Sequence, residues 1–109
     1  MLLQHTTHRR NLPSIDKRGL LCSKSQGKMQ AVWLHDVSMT SWAFLHAVKR
    51  HGGRIQDIVS ISVDVPDRVV RRASVPGLFY VLVDVAPDQL GSIMEFRMVA
   101  ASPLEGGDA

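Results

Sequence analysis

At 109 residues, with 45% apolar and 21% charged side chains, the chain has the size and balance of one hydrophobic core, unlike a disordered or fibrous sequence. No apolar run reaches the length of a bilayer span and the N-terminal stretch lacks the pattern of a secretory signal. The single cysteine, Cys22, excludes an internal disulfide framework and suits a reducing, cytoplasmic setting. The net charge of +3 is uneven, with eight Lys and Arg against two acids in residues 1–50 and five against eight thereafter. A positive half favours an anionic ligand, whether a dinucleotide pyrophosphate or a nucleic-acid backbone; a solvated basic helix face has the same composition.

Met1 to Thr7 is expected to form a first strand that runs into a turn. Asn11 is placed to cap a short helix with Pro13 in its first turn, Leu12 and Ile15 on its buried side and Gly19 closing it, so that Leu20 folds back onto Ile15. The polar segment from Cys22 to Gln30 is expected to be a mobile loop, and Ala31 to Leu34 a short buried strand ending at His35 and Asp36. Ser38 or Thr40 would cap a second helix with Trp42, Leu45 and Val48 on its apolar face, stopped by Gly52 and Gly53. Val59, Ile61, Val63 and Val65 alternate with Ser60, Ser62 and Asp64, the period of a strand with one polar face.

After the break at Pro66 and Asp67, Arg68 to Ala73 is expected to be a basic helical turn, and Leu78 to Val83 a central strand covered on both faces. Pro87 to Leu90 is a turn, Glu95 to Val99 a last strand, and the small, acidic residues 101–109 a frayed tail. The order predicts a single α+β domain over residues 1–100, with its two short helices in the N-terminal half.

Three segments in this order are similar to the motifs of ADP-ribosyltransferases. His5-Thr6-Thr7, with Asn11-Leu12-Pro13-Ser14-Ile15 and Gly19-Leu20, resembles the first motif, a His-Gly-Thr-like turn feeding a short helix that ends in Gly-Leu. Ala31 to Asp36 resembles the second, a strand bearing a ring that stacks on nicotinamide. Gly77 to Val81, followed by Asp84 to Leu90, resembles the third motif and the turn after it. The resemblance implies a split β-sheet domain of two small packed sheets with the helices outside, and NAD⁺ as substrate. It also implies a cleft between the first-motif turn and the Trp33 strand.

By that resemblance His5 binds ribose hydroxyls of the adenosine half and serves with Trp33 and His35 as a catalytic candidate. Thr6 supplies a backbone contact, Thr7 and Leu34 flank the ligand, Trp33 stacks on nicotinamide, and Tyr80 or His35 lines the far wall. Catalysis would come from orienting the ribose for attack. The chain departs from the family in having Thr6 where many members have Gly, His35 in place of a small residue, and no acid within Gly77 to Tyr80. The family's protein-modifying members carry a Glu on that strand.

Two readings of the missing Glu stand open. The acceptor could be already anionic, as in the tRNA 2′-phosphotransferase branch, with Arg9, Arg10, Arg68, Arg71 and Arg72 as candidates to hold a nucleic-acid phosphate. That branch also carries an N-terminal nucleic-acid-binding region, for which this chain has no room. Alternatively the fold binds nucleic acid or a partner protein without turnover. A domain this small could also act as a toxin or effector. His5, His8, Cys22 and His35 match no closed zinc pattern, so no metal is expected. His46 and His51 do not share a helix face, Cys22 has no paired base, and no Gly-rich phosphate loop is present.

Overall fold

A computed structural model describes residues 1–25 and 27–96. The remaining residues include the expected tail and most of the span assigned to the last strand. Among the described residues six strands, β1 (Leu2–His8), β2 (Val32–His35), β3 (Ile58–Asp64), β4 (Arg71–Arg72), β5 (Leu78–Val81) and β6 (Leu90–Glu95), pair antiparallel in the spatial order β4-β5-β2-β1-β3-β6. Among the described residues two α-helices, α1 (Leu12–Arg18) and α2 (Thr40–His51), precede most of these strands. The chain is thus a compact α+β domain, with α1 and α2 in the N-terminal half as the element order implies.

The alternation of side chains along each strand assigns the two helices to opposite faces. Leu3, Ile61 and Val63 share one face with Leu34 and Val81, and there they pack with Ile15 of α1, Leu20 and Val85. The opposite face carries Ile58, which packs with Phe44 and Ala47 of α2. Ser60, on that same face, is buried and bonded to its neighbours, so the polar side of β3 is covered at Ser60 and opens to solvent at Asp64. Gln4 beside it accepts a hydrogen bond from the Thr40 hydroxyl at 2.9 Å.

Several expectations change. Asn11 precedes α1, but its amide is turned away from the helix and donates to Thr7 Oγ1 at 2.9 Å. The buried side of α2 is Ala43, Phe44 and Ala47, while Trp42 is 45% exposed and Leu45 faces outward. Apolar residues run nearly all round this helix, and the small alanines let its backbone approach the sheet closely. Arg71 and Arg72 form an edge strand, not a helical turn. Their neighbour β5 lies one place from that edge and ends at Val81, leaving Leu82 48% and Val83 50% exposed. The last described strand begins at Leu90, earlier than expected.

The two sheets implied by the resemblance are joined here into one, but by a slender seam. β1 pairs with β3 along its whole length, from Leu2↔Asp64 to His8↔Ile58, whereas β1 and β2 share a single pair, Gln4↔His35. Past that pair the two strands diverge.

Candidate functional site

A cleft of about 790 Å³ opens where β1 and β2 part. Extending the ladder would set His5 against Leu34 and Thr6 against Trp33, but neither pair forms. Side chains make the bonds instead. His5 Nδ1 donates to the Trp33 carbonyl at 2.9 Å, and Thr6 Oγ1 lies 2.7 Å from His35 Nε2. These two contacts bridge the strands where the backbone ladder stops, beside the cleft.

The first contact fixes the chemistry of His5. A carbonyl can only accept, so Nδ1 carries the proton and the neutral ring presents Nε2 as an acceptor. Burial pushes the His5 pKa down, against the pull of the Trp33 carbonyl, and the charges of His35, Arg50 and His51 push it the same way. His35 is buried and is likewise lowered, chiefly by burial, while its Nδ1 donates to the Asp36 carbonyl at 2.9 Å. Its Nε2 faces the Thr6 hydroxyl, which also lies 3.1 Å from Ser60 Oγ. The backbone turn that follows is capped by Asp36, whose carboxylate accepts from Ser38 N, and not by His35.

His5, Thr6, Thr7, Trp33, Leu34 and His35 all border the cleft, although they come from two separate stretches of sequence. Tyr80 does not. It pairs with Trp33 across β5 and β2, their ring centroids 5.2 Å apart, and reaches the cleft only through that ring. Trp33 is 40% exposed, so the expectation of a wholly buried strand fails at this residue. Arg68, Arg71 and Arg72 lie elsewhere, and Arg9 is drawn toward Glu95 at 3.6 Å.

Sequence reasoning missed the second wall. Trp42, His46 and Arg50 recur every four residues along α2 and face the cleft, with the Trp42 and His46 rings stacked at 4.8 Å. His51 also borders it, with a pKa pushed down by burial and by Arg50, and lies edge-on to His8. The signal was present as an aromatic and cationic i, i+4, i+8 stripe, obscured because Trp42 was counted as core. Asn11 and Ser14 of the first helical segment and Lys24 of the loop after it complete the rim.

Among the described residues that line the cleft there is no Asp or Glu. No group of three His, Cys, Asp or Glu side chains among the described residues is placed to hold a metal. Burial, together with the hydrogen bond and charge of Asp84, pushes the Cys22 thiol up, so it is protonated and a poor nucleophile at neutral pH. No described helix is long and apolar enough to cross a membrane. Neither protein-family models nor curated proteins yield a match to this chain.

Proposed function

We propose that the cleft binds NAD⁺ and that the chain acts at the nicotinamide ribose, in the manner of the ADP-ribosyltransferases its motifs resemble. The observation that carries this reading is the convergence of the first two motif-like segments on one cleft, with His5 presenting a bare Nε2. That atom is suited to accept a hydrogen bond from a ribose hydroxyl. Trp33, partly exposed at the cleft edge, offers a ring for nicotinamide. Lys24 and Arg50 make the walls attractive to a pyrophosphate. The volume lies within the range of small-molecule sites.

The residues would work by positioning. His5 orients the ribose, Trp33 restrains the nicotinamide ring, and no carboxylate among the described lining residues serves as a base. An acceptor that is already ionised, such as a phosphate of nucleic acid, suits such a site better than a neutral side chain. The same lack of a carboxylate supports a second reading, in which the cleft binds a nucleotide without turnover.

Calorimetric titration with NAD⁺, with released nicotinamide assayed in the same samples, tests both. His5→Ala should remain folded and bind NAD⁺ roughly fivefold to tenfold more weakly, the loss of one well-placed hydrogen bond. Nicotinamide release supports the transferase; binding without release supports the second reading. Absence of heat at millimolar NAD⁺ rejects both.

A further inference from the structure

On the sheet face that holds Trp33, three neighbouring strands place one side chain each in a row. Arg71 on β4 is the register partner of Tyr80 on β5, and Tyr80 is the partner of Trp33 on β2, so all three project to the same side. Helix α2 packs over β1 and β3 on this face, away from the row. Arg71 is exposed, Tyr80 is half-buried, and its ring is tilted 44° to that of Trp33. Trp33 also borders the cleft, where it joins the stripe of Trp42, His46 and Arg50. The row therefore runs from the β4 edge of the sheet into the cleft without a carboxylate among its members.

We infer that this row binds single-stranded nucleic acid, with a base against the Tyr80–Trp33 pair and the adjoining phosphate on Arg71. Aromatic rings on an open sheet face accept unpaired bases of any sequence, because every base has a flat π-face, and a neighbouring guanidinium matches a phosphate. The bases of a duplex are already stacked and cannot use the rings. An acidic protein would use the charge and leave the rings without partners. A strand lying along the row is led past Trp33 to the cleft, which makes it the acceptor of the proposed transfer. As an acceptor surface the row rests on the transferase reading; as a binding surface it does not.

Fluorescence anisotropy of a short fluorescein-labelled oligonucleotide tests this, as single-stranded RNA, single-stranded DNA and duplex. The single strands should bind more tightly than the duplex. Tyr80→Ala should weaken them roughly tenfold or more, while Tyr80→Phe retains binding. Arg71→Gln, at an exposed position where folding is not at stake, should lower the slope of log affinity against log salt by about 0.7. Both Arg71→Gln and Tyr80→Phe should bind NAD⁺ as the parent does.

The inference is overturned if single strands do not bind. It also falls if binding ignores both Tyr80→Ala and Arg71→Gln, or if polyglutamate competes as well as unlabelled oligonucleotide. Should Tyr80→Ala fail to fold, Tyr80→Leu takes its place, since it removes the ring but keeps apolar bulk. Oligonucleotide binding with these sensitivities in a protein that ignores NAD⁺ would uphold the row and reject the transferase reading, so the two failures are distinguishable.

Discussion

A histidine that gives its Nδ1 proton to a carbonyl and stays neutral has one acceptor left, and at the cleft that acceptor is His5 Nε2. His5, His35 and His51 all have folded-state pKa values below the ordinary 6.5, each chiefly through burial. As pH falls, the unfolded chain therefore takes up protons before the folded one. Their contribution to stability is complete above about pH 6.5, declines as pH drops through that value, and stops changing once the folded rings titrate as well. The melting temperature should accordingly be lower near pH 5 than near pH 7.5, and nitrogen-15 spectra at neutral pH should show His5 as the Nδ1–H tautomer. A melting temperature that rises on acidification would contradict the assignment. Six of the seven site residues named from sequence border the cleft, because two motif-like segments sit on adjacent strands. Tyr80 is set apart by strand register, which its local sequence does not encode.

Helices and strands were legible where one physical cue dominated. The alternation from Val59 to Val65 marks β3, and Gly19 and Gly52 end the two helices with positive φ angles of 77° and 74°. The buried face of α2 was not legible, since Trp42, Ala43, Phe44, Leu45, Ala47 and Val48 leave no clean polar side and steric closeness decides. At Gly19 geometry adds a second constraint. A Cβ there would stand 1.9 Å from the Val85 carbonyl oxygen, the same atom that accepts from Leu20 N at 2.9 Å. Gly52 has open space around it. Gly19→Ala should therefore cost at least about 3 kcal/mol, combining backbone strain with loss of the Leu20–Val85 bridge. Gly52→Ala should cost about 1–2 kcal/mol, from backbone strain alone. Denaturant titration of the two variants separates the effects, and equal costs would show that the approach to Val85 is not a constraint.

At the level of the molecule, the α+β class followed from element order, but the strand arrangement did not. Pairing β2 with β5 and β1 with β3 depends on contacts between residues far apart in sequence, and local patterns carry no such information. The same holds for β4. Its two arginines suggested a basic turn because a two-residue strand has too little length to show a period. Placed at the border of the sheet, they also have a colloidal consequence. An edge strand offers the amides and carbonyls of its outer side to any other chain, and paired positive charges there repel a second copy approaching along the same border. Replacing both Arg71 and Arg72 by Ala should thus produce a protein that scatters more light on concentration than its parent, whereas Arg71→Gln alone, which leaves Arg72 in place, should scatter less than the double variant.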